Sequence, residues 1–132
     1  MVGIVLIGHG PLASGLLQAA EMIAGPQSGV AVLELQPAQD MDQFREEMER
    51  AVARVDAGQG VLILADLFGG SPANTSAYLL RPGVDVVCGL NLPMLLEVLT
   101  MRDSQTLSEL AQTALRAGAS GCVRLADMLG QG

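Results

Sequence analysis

The sequence predicts an α/β fold: an open, doubly wound, mostly parallel sheet in strand order 2-1-3-4, with helices on both faces. Three observations predict it. Four short runs rich in Val, Ile and Leu read as strands buried on both faces, as parallel strands are. Segments with helical periodicity separate them. Helix start and stop signals fall at the junctions. Such alternation builds right-handed βαβ crossovers.

Each element has its own warrant. The first strand is Val2 to Ile7. Leu12, Leu16, Ala20 and Ile23 then recur at helical spacing until Gly25-Pro26 stops the pattern. The second strand is Val30 to Leu35. Asp40 stands where it can cap the second helix, with Gln43 completing a capping box, and Met41, Phe44, Met48, Val52 and Val55 form the buried stripe. The third strand is Val61 to Ala65, and Ser71 can cap a third helix with Pro72 at its first position. The fourth strand is Val84 to Cys88, and Pro93 opens a fourth helix. Thr106 and Glu109 box the start of a fifth, which Gly118 ends. Cys122 to Leu125 reads as one further short strand. The 132 residues point to one domain over 1–132, without linker or repeat.

Composition narrows the chemistry. Half of the residues are hydrophobic and 16% are charged, which supplies a core and leaves no segment that reads as disordered. The aromatics are Phe44, Phe68 and Tyr78, without Trp, too few to stack a sugar, a base or a flavin. The net charge is -7 and all seven cations are arginine. Without lysine, a Walker phosphate loop, a Schiff base and a receiver-type acidic site are excluded. An acidic chain lacks the cations that bind nucleic acid, so none is expected as a partner. The acidity suits steering toward a basic protein, and equally serves solubility. The first apolar run is too short to span a bilayer and lacks a signal-peptide pattern, so a cytoplasmic place without membrane insertion is expected. Cys88 and Cys122 are then reduced. Cys88 ends an apolar run and reads as core. One histidine and two distant cysteines make a poor zinc set, so neither metal nor cofactor is expected.

Three segments fall at the C-terminal ends of strands: Gly8-His9-Gly10-Pro11, Asp66 to Asn74, and Gly89 to Met94. In order 2-1-3-4 the first and third strands are neighbours, and their ends form the switch-point crevice. His9 and Asp66 then face each other. A lone histidine in a turn ordinarily has no special task, and an aspartate there is as readily a helix cap. Together they make more: Asp66 can accept the Nδ1 proton of His9, leaving the Nε2 lone pair as nucleophile. Gly69, Gly70 and Ser71 lead into a helix N-terminus, where backbone N–H groups favour an anion such as phosphate. A tight turn with an ordinary Ser cap would look the same in isolation.

These residues resemble the mannose family of enzyme IIA of the bacterial phosphoenolpyruvate-dependent sugar phosphotransferase system. The resemblance covers nearly the whole chain. It rests on His9-Gly10, on Asp66 with Gly69-Gly70-Ser71-Pro72 and Asn74, and on Gly89-Leu90-Asn91-Leu92-Pro93-Met94-Leu95 with Glu97. It implies a phosphotransferase that is phosphorylated on His9, with Asp66 orienting the ring. The implied donor is the histidine phosphocarrier protein. The implied acceptor is a IIB component serving a membrane sugar permease. Phe68, Asn91, Pro93 and Met94 are the candidate partner surface. The resemblance also implies a homodimer with an exchanged C-terminal strand, for which the segment near Val123 is the candidate. Gly8 departs from relatives that carry a hydroxyl residue before the histidine. The chain ends at Gly132, so no fused IIB domain is expected. Two other readings stay open: a regulatory module whose phosphorylation state selects partners without transport, and the phosphocarrier subunit of dihydroxyacetone kinase.

Overall fold

Strand β1 (Gly3–His9) pairs in parallel with β2 (Val30–Leu35) on one side and β3 (Val61–Ala65) on the other. β4 (Val84–Cys88) continues the sheet beside β3, giving the order β2-β1-β3-β4, all parallel. The computed structural model describes residues 1–69 and 77–130. Val2 through Gly8 and all of β3 are buried, which is why these runs are continuously apolar rather than alternating.

The helices are α1 (Leu12–Ala24), α2 (Met41–Val55), α3 (Leu92–Met101), α4 (Leu107–Ser120) and a short turn α5 (Leu125–Met128). Ile4, Leu6, Leu62 and Leu64 point to one face and pack with α1, α3 and α4 through Ala13, Ala20, Leu95, Val98 and Leu110. Val5, Ile7, Val61 and Ile63 point to the other, against Phe44, Met48, Val52 and Val55 of α2. The period of two along the strands thus divides one sheet between two cores.

The caps follow the sequence with some corrections. Asp40 accepts from the N–H groups of Asp42 and Gln43, but only this half of the expected box forms. Thr106 and Glu109 make a complete box at α4. In α1 the buried face is Ala13 and Ala20 with Leu16 and Leu17 packed beside them, while Leu12 and Ile23 are exposed. Small alanines let α1 lie close to the sheet and turn its larger ends outward. Gly118 does not end α4, which runs to Ser120 before Gly121 closes it. A Cβ on Gly118 would stand 2.7 Å from Met94 Cε, so this glycine serves the packing of α4 on α3. The expected helix start at Ser71-Pro72 lies outside the described residues, and Ala77–Leu79 form a 3-10 turn.

The expected strand at Cys122 to Leu125 is not formed. Residues 122–124 carry no regular structure, and Leu125 begins a helical turn closed by bonds from Asp127 and Met128 N–H to Arg124 O. A strand needs a neighbouring edge for its backbone groups, and this segment satisfies itself locally instead.

Arg102, only 3% exposed, closes α3 at the N-terminal edge of the sheet. Its guanidinium donates to Gly29 O (3.3 Å), to Gln27 Oε1 (3.1 Å) and to Ser28 O, and its own carbonyl accepts from Val2 N–H. Burial pushes the guanidinium below its ordinary range, with Asp103 opposing, yet arginine stays charged at neutral pH. Arg102→Ala strands carbonyls that this charge satisfied and should lower stability by about 2–4 kcal/mol. Urea denaturation measures this, and a loss below about 0.5 kcal/mol contradicts the anchoring role.

Candidate active site

Ile7 pairs with Ala65 at the end of β3, so Asp66 leaves the sheet beside Gly8 and His9, which stay paired with Glu34 and Leu35 of β2. Asp66 N–H donates to Ile7 O at 3.1 Å, which fixes the backbone on which the carboxylate stands. That carboxylate reaches residue 9, 57 positions earlier in the chain, with one oxygen. Asp66 Oδ2 accepts the backbone N–H of His9 at 3.0 Å and lies 2.9 Å from the ring Nδ1. The oxygen is already an acceptor, so Nδ1 is the donor, and Nε2 on the far side of the ring carries the lone pair. Burial divides the pair: the Asp66 side chain is 7% exposed and the His9 ring 49%. The acid is protected and the outer edge of the ring is open.

Gly10 turns the chain away from the ring. Its φ of +56° favours glycine, and its N–H donates to Leu35 O at 2.8 Å. Helix α1 begins two residues later. Pro11 gives it no side-chain cap, so the positive end of the helix beside His9 is left without a side-chain partner.

The other expected site residues divide. Gly69 lies in a turn at φ +86°, while Gly70 and Ser71 lie outside the described residues. Phe68 is 85% exposed and, with Leu67 just after Asp66 and Leu12 shortly after His9, presents outward apolar surface. Asn91 is an anchor: it caps α3 by accepting from Met94 N–H and donates to Gly118 O. Pro93 is half-buried against the space that Gly121 leaves. Met94 is 3% exposed and belongs to the core, so its expected place on a partner surface is corrected. Two further features were missed from sequence. Glu34 pairs with Gly8 in register and accepts from Ser14 of α1. Gly8 itself lies against Asp66. The strand alternation, extended one residue past Leu6 and Ile7, would have pointed to both.

These features define an open α/β protein that presents an acid-held histidine at the switch point of its sheet. The chain belongs to the EIIA-man family, whose model, described as PTS system fructose IIA component, matches residues 3–115. It is similar to the PTS system mannose-specific EIIAB component of Escherichia coli K12, 34% identical over 123 residues; these are 91% of this chain but 38% of that protein's length. It is 30% identical over 112 residues to the PTS system fructose-specific EIIA component of Bacillus subtilis, covering 83% of this chain and 77% of that protein. The crystal structure of phosphotransferase system component EIIA from Streptococcus agalactiae superimposes with a TM-score of 0.87 at 28% identity, over 96% of this chain and 99% of that one. Among the described residues no helix is long and apolar enough to cross a membrane.

Cys88 ends β4 next to this site and is partly buried, whereas Cys122 is exposed. Burial, and then the charge of Asp66, push the Cys88 thiol above the ordinary range. At pH 7.5 iodoacetamide should modify Cys122 at least about tenfold faster than Cys88. Asp66→Asn should speed Cys88, since it removes the charge that opposes thiolate. Mass spectrometry of timed digests reads both. Equal rates contradict the burial argument, and an unchanged Cys88 rate in Asp66→Asn contradicts the electrostatic one.

Proposed function

We propose that the chain, as one IIA domain over residues 1–132, carries a phosphoryl group on His9. It takes the group from the histidine phosphocarrier protein in the cytoplasm and passes it to a IIB component for sugar uptake. The observation that carries this reading is the bond between Asp66 Oδ2 and His9 Nδ1. Family membership supports the same direction.

The chemistry needs little beyond positioning and charge. The Nε2 lone pair of His9 attacks the donor's phosphorus as the donor's own P–N bond breaks, and the donor nitrogen keeps that electron pair. The ring gains positive charge as the new P–N bond forms, and Asp66 stabilises it through the Nδ1 hydrogen bond. Transfer onward is the reverse step with a new acceptor. The phosphoryl oxygens would meet the uncapped start of α1 and the Gly69-Gly70-Ser71 segment, both rich in N–H donors. No metal or cofactor enters this scheme. Phe68, Leu67 and Leu12 offer apolar contact to a docking protein, and the net charge of -7 steers basic partners. Val123, Leu125, Met128 and Leu129 expose an apolar C-terminal segment suited to pairing with a second copy, so a homodimer is expected, checked by light scattering at micromolar concentration.

Labelled phosphate from phosphoenolpyruvate, passed through the general carriers, should appear on this chain as acid-labile, base-stable label. His9→Ala should abolish it. Asp66→Ala removes a charge-assisted bond worth roughly 1.5–3 kcal/mol, so transfer should slow about ten- to a hundredfold without stopping. Label retained in His9→Ala, or a normal rate in folded Asp66→Ala, would falsify the scheme.

A further inference from the structure

Gly8 lies directly before the histidine, buried, on the face of β1 that also holds Leu6. A Cβ on this residue would stand 3.3 Å from Asp66 Oδ2, 3.5 Å from Asp66 Cγ and 3.6 Å from Ala13 Cβ. The carboxylate therefore occupies the room that any other residue would partly take. Its two oxygens are unequally used. Oδ2 accepts both His9 N–H groups, while Oδ1 is buried and makes no hydrogen bond among the described residues.

A buried carboxylate oxygen without a donor is unusual, because it forgoes stabilisation of its charge. It has a chemical consequence here. Each donor that satisfies a carboxylate weakens its pull on the others. With Oδ1 bare among the described residues, the pull of Asp66 is directed at residue 9. The described neighbours keep it so. Gly8 carries no side chain that could donate. The hydroxyl of Ser14, in the first turn of α1, is engaged by Glu34. Glu34, which flanks Gly8 on β2, is itself an acceptor and cannot satisfy Asp66.

We propose that Gly8 is a positioning residue: by having no side chain it reserves the Asp66 carboxylate for His9 and so holds the ring in the Nδ1–H form. This deepens the phosphocarrier reading and rests on it for its effect on transfer, though not for its effect on the ring. A hydroxyl at this position would sit within one bond of the carboxylate and compete for it. The methyl of alanine would crowd Oδ2 by a few tenths of an ångström but could not donate.

His9 is the only histidine, so its ring signals can be read without assignment by mutation. Nitrogen-edited NMR on wild type, Gly8→Ala and Gly8→Ser, with folding checked by amide spectra, reads the tautomer and the Nδ1–H resonance. Wild type should show protonated Nδ1, bare Nε2 and a strongly downfield Nδ1–H. Gly8→Ser should move that resonance upfield by more than Gly8→Ala does, and should slow phosphoryl uptake about three- to tenfold. A Gly8→Ser resonance equal to wild type, or moved no further than in Gly8→Ala, overturns the proposal. Should Gly8→Ser not fold, wild type decides alone, since a mixture of ring tautomers there overturns it as well. Failure of wild type to take up phosphate would defeat the phosphocarrier reading, while the ring measurements would still judge Gly8.

Discussion

One carboxylate oxygen, Asp66 Oδ2, holds both the backbone and the ring of a residue 57 positions away, and the site exists only while that contact is kept. The contact depends on two strands being neighbours although a whole β-α unit separates them in the chain. β1 and β3 run in parallel register from Gly3↔Val61 to Ile7↔Ala65, so their ends arrive together. The place where strand order reverses leaves a crevice at the ends of β1 and β3. A half-exposed ring on a buried acid is the result. Burial strengthens the hydrogen bond by excluding water from the acid, while the outer nitrogen stays within reach of a large partner.

The two ends of the sheet do different work. At the C-terminal edge lie His9, Asp66, Phe68 and the start of α1, with exposed apolar groups and a helix end free of side-chain caps. At the N-terminal edge Arg102 gathers the α1–β2 connection and the first residues of β1 with four hydrogen bonds, counting its carbonyl. A rigid lower edge lets the upper one keep unsatisfied groups, because the sheet between them is apolar and close-packed on both faces.

Much of this was legible in the amino-acid order. Short runs rich in Val, Ile and Leu suit a doubly covered sheet, and all four strands fall where those runs lie. The pairing of His9 with Asp66 followed from strand order alone. Helical spacing locates α1, but that spacing does not say which residues approach the sheet: the alanines do, while Leu12 and Ile23 are exposed. Gly118 looked like a helix end because glycine ordinarily is one; here it makes room for Met94, a tertiary demand that local signals do not carry. Met94, a candidate for the partner surface, is core instead, and Asn91 beside it caps α3. Gly8 drew notice only for lacking a hydroxyl, and its closeness to Asp66 appears only in three dimensions. The segment after Arg124 closes as a helical turn on Arg124 O, a local solution that its short apolar run does not signal.

The central claim is that Asp66 selects the atom of His9 that reacts, by keeping Nδ1 occupied. Phosphorus–nitrogen coupling in the NMR spectrum of the phosphorylated, nitrogen-15-labelled protein identifies that atom directly. The account predicts a single P–N bond to Nε2, with Nδ1 still bearing its proton. A P–N bond to Nδ1 would contradict it, since the phosphoryl group would then occupy the position that Asp66 holds.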